Sequence, residues 1–290
     1  MRERVATLGP ERGLVGIFTE AGASPNRETP VVLIPNSGIV HHVGVGRLHT
    51  RAARRLADRG FPSFRFDYSG IGDSKPTGEA MSIGDAVLRD LDTAADYVRE
   101  QGFRRIVVFG LCSGGRDALE LAVRDESVVG TFAIDLMSDF VTLKHQVVHF
   151  APRLLRWSSW KNLLLGRNAR LSGAARALAG AGPEVEDSEP WPEEGPRSRL
   201  ERPRLAEMLG QLVRRDVRMY FAFSNGLEDN YNHAGQFASA LPGVGSDPRI
   251  TSRFFSGADH VFSDRAQQSA LLDAFEAWMS GGFDSTGGLS

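Results

Sequence analysis

The stretch "RRIVVFGLCSGGRDALELAV", Arg104 to Val123, constrains the fold of this chain more than any other. A nearly continuous apolar run reads as a strand buried on both faces, and it passes through a small-residue turn into a helical pattern. Gly110 and Gly114 stand two residues before and two residues after Cys112, the chain's only cysteine. Strand, tight turn and helix in that order form the setting of a nucleophile elbow, in which a strained turn projects one side chain above the sheet. Centring the turn on Ser113 would put Leu111 where a small residue is needed, so Cys112 is the expected nucleophile. The helix N-terminus behind it favours a thiolate. The alternative is a cysteine acting as a small buried hydrophobe.

The rest of the chain repeats the strand-helix theme. "GLVGIFTE" (13–20), "PVVLIP" (30–35), "FPSFRFD" (61–67), "VVGTFAIDL" (128–136), "VRMYFAFS" (217–224) and "ITSRFFS" (250–256) read as further strands. "GRLHTRAARRLADRG" and "SIGDAVLRDLDTAADYVREQG" carry apolar residues at helical spacing. The second puts Ile83, Val87, Leu91, Ala94, Ala95 and Val98 on one face and stops near Gly102. Such alternation implies a mostly parallel sheet covered by helices on both faces. It breaks between residues 140 and 216, where an apolar, basic segment precedes a Pro- and Glu-rich loop. That span is expected to be a helical lid inserted in a core of residues 1–139 and 217–280, with 281–290 as a flexible tail.

Composition narrows the function classes. At 290 residues and 41% hydrophobic, the chain can bury a sizeable core, and a net charge of −2 gives no reason to expect nucleic acid as a partner. One cysteine excludes an intrachain disulfide framework and a cysteine-based zinc site. No apolar run has the length of a membrane span, and "MRERVATLGPERG" carries charge with no apolar segment after it, so no secretory signal is readable and a cytoplasmic location is expected.

A thiol nucleophile needs a base, and the base needs an orienting acid. His260, in "FFSGADHVFS", lies just after the last expected strand and on the same sheet edge as the elbow, whereas His145, His149 and His233 fall in the lid or on a helical pattern. Asp229, in "YFAFSNGLEDNYN" after the preceding strand, is the expected acid, with Glu228 as runner-up and a helix N-cap as the other use of an Asp there. Backbone N–H groups of Ser37 or Gly38 in "IPNSGIVHHVG", with that of Ser113, are expected to form an oxyanion hole. His41 and His42 either line the substrate pocket or belong to a solvated loop. With His49 they would be a metal-ligand set lacking a nearby carboxylate, so no metal is expected. "FRFDYSGIGDS" (64–74) lacks the spacing of a phosphate-binding loop and reads as a structural turn.

Together "PNSG", "FRFDYSGIGDS", "GLCSGG" and "GADHVFS" resemble the α/β-hydrolase superfamily. The front half and "SSWKNLLLGR" look most like the exosortase-system-associated hydrolases. The superfamily resemblance implies an eight-stranded, mostly parallel sheet, an acyl-enzyme mechanism and no cofactor. Cys112, Asp229 and His260 follow the family's nucleophile-acid-histidine order. Most members carry serine in the elbow, and cysteine-elbow relatives include dienelactone hydrolases and acyl-coenzyme A N-acyltransferases. A cysteine acyl-enzyme is a thioester, open to amines and thiols, and a thiolate expels an alkoxide poorly. The expectation is therefore acyl transfer or thioester cleavage on a small acyl substrate, with simple ester or lactone hydrolysis, or a binding protein without turnover, as alternatives. Trp157 and Trp160 are candidates to cover an acyl chain or to pack the lid. Arg153, Arg156, Lys161 and Arg167 would meet the phosphate of coenzyme A or a carrier protein, or form a solvated face.

Overall fold

A computed structural model describes residues 1–22, 26–78, 80–142, 144–145, 199–227 and 231–283. Eight strands form one sheet: β1 (Arg2–Leu8), β2 (Leu14–Glu20), β3 (Val31–Ile34), β4 (Ser63–Phe66), β5 (Ile106–Leu111), β6 (Val128–Ile134), β7 (Arg218–Ser224) and β8 (Ile250–Phe255). Their spatial order is β1-β2-β4-β3-β5-β6-β7-β8. β2 runs antiparallel to β1 and β4, and all pairings from β4 to β8 are parallel. The C-terminal ends of β3 to β8 therefore share one edge, where ligands bind in open α/β sheets.

All six residues of β5 are buried, and side-chain alternation splits them between two cores. Ile106 and Val108 pack with α2 (Ile83–Glu100), α3 (Ser113–Arg124) and α4 (Arg202–Arg214). Val107, Phe109 and Leu111 pack with α1 (Leu48–Asp58) and α6 (Arg265–Phe283) on the other face, while α5 (Gln236–Ala240) joins the first core. The sheet is thus an α/β-hydrolase sheet with apolar strands sealed on both sides.

Three boundaries differ from the sequence reading. β1 was not expected, because "RERVATL" opens with three charged residues and buries only Ala6 and Leu8; it is an edge strand needing one half-covered face. Ile83 is 71% exposed while Val87, Leu91, Ala94, Ala95 and Val98 are buried, since the first turn of α2 overhangs the core. Residues 202–214, assigned to the lid span, form α4, whose Leu205, Met208, Leu209 and Leu212 pack into the main core. Residues 146–198, which hold the rest of the expected lid, and 284–290 of the expected tail lie outside the described residues. No described helix is long and apolar enough to cross a membrane.

Phe132 of β6 is fully buried, with ring centroids 4.4 Å from Tyr220, 4.6 Å from Phe275 and 5.6 Å from Phe109. Phe132→Ala is expected to lower unfolding free energy by about 3–5 kcal/mol. Ile83→Ala should change it by no more than about 0.5 kcal/mol, and urea titration of both variants checks the contrast.

Candidate active site

Cys112 occupies the junction of β5 and α3 at φ +59°, ψ −117°, a conformation side-chain-bearing residues rarely adopt. The turn closes because its flanks are glycine. A Cβ on Gly110 would lie 2.0 Å from the Gly114 carbonyl oxygen, and one on Gly114 would lie 2.8 Å from that of Asn36. The Cys112 N–H donates to the Ile134 carbonyl at 2.8 Å, and its own carbonyl accepts from Gly115 N–H at 3.1 Å. Leu111 points into the sheet core, so the half-buried side chain presented at the edge is the thiol of Cys112. Its Sγ lies 3.6 Å from Met137 Sδ.

His260 follows β8 and is 29% exposed, with Nδ1 3.1 Å from Asp135 Oδ2. Hydrogen bonding to Asp135 first, and to Cys112 second, outweighs burial and lifts the imidazole to about 10. Asp135 sits immediately after β6, 1% exposed and at φ +46°. Its Oδ1 accepts the Ser224 N–H at 2.7 Å, and Oδ2 accepts the Ser224 hydroxyl as well as bonding His260. Gly226 lets the β7 loop reach this corner: a Cβ there would lie 2.0 Å from the His260 nitrogen.

Asp229 and Glu228 lie outside the described residues, and the carboxylate found on His260 Nδ1 belongs to Asp135. The missed signal was an acidic residue closing the apolar run "VVGTFAID". A carboxylate at the buried end of such a strand must have partners, because an unpaired buried charge is costly.

The loop after β3 packs against the elbow. Gly38 N–H donates to Ser113 Oγ at 2.8 Å, which brings together two of the three residues expected at the oxyanion hole. Ser37 Oγ is 3.5 Å from Nε2 of His49, a fully buried imidazole that desolvation pushes down to about 4. His49 is thus a neutral core residue edge-to-face with Phe109. Trp157 and Trp160 lie outside the described residues.

His42 is a buried residue of this loop. It is 5% exposed, and both its N–H at 2.6 Å and its Nδ1 at 2.7 Å bond the carboxylate of Asp67, which follows β4. Burial works against ionisation of Asp67, but hydrogen bonds from His42, Asn36 and the Asp73 N–H hold it below the usual carboxylate range. Asn36 links the two loops, donating Nδ2 to Asp67 Oδ1 at 2.8 Å and accepting the Tyr68 N–H on Oδ1. The carboxylates absent from the sequence reading of the histidine loop come from "FRFDYSGIGDS".

The sequence pattern of the family described as serine aminopeptidase, S33 (Hydrolase_4) matches residues 29–184. Comparison with curated proteins gives no match. Among solved structures, the chain resembles the esterase domain of a Rhodothermus marinus protein at 16% identity and TM-score 0.55, with 96% of this chain and 98% of that one covered. It also resembles a Pyrococcus furiosus esterase at 13% identity and TM-score 0.56, covering 98% and 92%. A Mycobacterium tuberculosis puromycin-hydrolyzing peptidase matches at 19% identity and TM-score 0.57, covering 99% of this chain and 40% of that one. At these identities the likeness is one of fold.

The His260–Asp135 pair has a pH signature. The imidazole value in the folded chain, about 10, lies above the ordinary value of 6.5. The stability it contributes is therefore complete below about pH 6.5 and is lost as pH rises through about 10. The gap in unfolding free energy between wild type and His260→Gln should narrow across that window in urea titrations. Asp135→Asn should bring the His260 midpoint, followed by NMR, back toward 6.5. A gap independent of pH would remove the charged pair.

Proposed function

We propose, from the premise that the chain belongs to the serine aminopeptidase S33 (Hydrolase_4) family of α/β-hydrolase enzymes, that it transfers acyl groups through a thioester on Cys112. The observation that carries this reading is the thiol itself. It sits at φ +59° on the elbow, with His260 in hydrogen-bond reach and Asp135 behind that histidine. The assignment is Cys112 as nucleophile, His260 as general base and acid, and Asp135 as the acid that orients His260, the position the sequence reading gave to Asp229.

A proton held on His260 is the condition under which the neighbouring sulfur attacks as a thiolate. The Cys112 sulfur forms a bond to the acyl carbon, and the carbonyl electrons move onto oxygen. The N–H groups of Gly38 and Ser113 are the donors nearest to hand for that oxyanion, once Gly38 exchanges its bond to the Ser113 hydroxyl for one to substrate. Collapse breaks the bond to the leaving group, which takes the proton from His260. Water, an amine or a thiol then gives a proton to His260 and attacks the thioester, releasing Cys112. Activated donors such as acyl thioesters fit this cycle, because a thiolate is the better leaving group when an ordinary ester is attacked. Carriage of the acyl group on coenzyme A or a carrier protein is part of the same reading.

Ester or peptide hydrolysis is the second reading, favoured by the family description and by the esterases and peptidase this fold resembles. The exosortase-associated likeness of the front half rests on sequence resemblance alone.

Intact mass after incubation with acyl thioesters is expected to show an acyl adduct on wild type that Cys112→Ala abolishes. No Cys112-dependent adduct would rule out the covalent mechanism. Asp135→Asn should lower kcat by about 10²–10⁴-fold, whereas Asp229→Asn should leave it near wild type. A panel of acyl thioesters and p-nitrophenyl esters, with and without amines, separates the two readings: amine-dependent products indicate transfer, and turnover of esters alone indicates hydrolysis.

A further inference from the structure

Two loops outside the catalytic trio bring four metal-type ligands together. His41 and His42 come from the loop after β3, and Asp67 and Asp73 from the loop after β4. Each of the four supplies one ligand atom, an imidazole nitrogen or a carboxylate oxygen, all within 4.8 Å of one another, and among the described residues this is the one such group. We infer that these four side chains bind a divalent cation of the zinc class, clipping the loop that carries Ser37 and Gly38 to the loop after β4.

Spacing comes first. Ligand atoms 2.0–2.2 Å from a tetrahedral metal lie about 3.3 Å apart. His41 Nε2 is 3.2 Å from Asp73 Oδ2 and 3.5 Å from Asp67 Oδ2, close to that edge. The His42 Nδ1–Asp67 Oδ2 edge, at 2.7 Å, is a hydrogen bond, and it opens by about 0.6 Å when a metal replaces the shared proton. Because the metal competes with that proton, binding weakens as pH falls.

The supporting groups are also built. Asp67 Oδ1 is occupied by Asn36 Nδ2 at 2.8 Å and the His42 N–H at 2.6 Å, while Oδ2 faces the two imidazoles and also accepts the Asp73 N–H at 3.1 Å. Gly72 keeps the space clear. A Cβ there would lie 2.3 Å from Asp67 Oδ2 and 2.6 Å from His41 Cδ2, and its φ of +55° disfavours any side chain. His42 and Asp67 form the buried half, while the His41 and Asp73 side chains are 40% and 62% exposed and offer an entry path. Two imidazoles beside two carboxylates select Zn²⁺-like ions over Mg²⁺ or Ca²⁺, which prefer all-oxygen cages.

The test is calorimetric titration of the tag-free full chain with Zn²⁺, and in parallel with Mg²⁺ and Ca²⁺. It is run in the Cys112→Ala background so that the thiol and His260 cannot capture the ion. One equivalent of Zn²⁺ is expected, with a melting temperature raised by about 5 °C at 100-fold excess over Kd. His41→Ala and Asp73→Asn, both at exposed positions, should each weaken binding at least about 10-fold. Should either variant melt lower without metal, the visible spectrum of Co²⁺ bound to the Cys112→Ala protein decides, a tetrahedral nitrogen-oxygen pattern supporting the site. No binding in the Cys112→Ala protein, Zn²⁺ affinity unchanged by both variants, or a non-tetrahedral Co²⁺ spectrum overturns the inference.

Discussion

The backbone of Cys112 at φ +59° is the constraint on which the surrounding structure depends. A side-chain-bearing residue in such a region carries about 1–3 kcal/mol of strain and persists only where its neighbours over-determine it. Here they do so through sealed packing. β5 is buried along its whole length, α3 starts at the next residue, and the glycines on either side permit backbone contacts that a single methyl would prevent. The half-buried thiol is presented at the sheet edge by this constrained turn.

The same device recurs one strand away. Asp135 follows β6 directly at φ +46° and is held there by hydrogen bonds from the Ser224 N–H and hydroxyl. Its remaining capacity goes to His260, so the ends of β6, β7 and β8 are tied to one carboxylate. The bond to Asp135, with the neighbouring Cys112 sulfur second, holds the His260 imidazole well above its ordinary value. The matched family is described by its serine enzymes, and this chain has Cys112 at the junction of β5 and α3.

Much of the core was legible in the sequence because burial imposes period. Seven of the eight strands and the helices α1, α2 and α3 follow from apolar spacing, and the elbow follows from glycines around one cysteine. β1 escaped because an edge strand with one half-covered face need not look apolar. α4 escaped because its arginine-rich outer face obscured Leu205, Met208, Leu209 and Leu212.

The placement of Cys112 on the elbow and of His260 on the same sheet edge was determined by the chain alone, since both depend on local order: strand, turn, helix, and the loop that follows the last strand. Which carboxylate meets His260, and which ones meet His41 and His42, was decided only in three dimensions. Asp135 lies 125 residues from His260, and Asp67 lies 25 from His42. Partnership between buried charges is a property of which strand ends become neighbours in the sheet, and spacing along the chain carries no record of it.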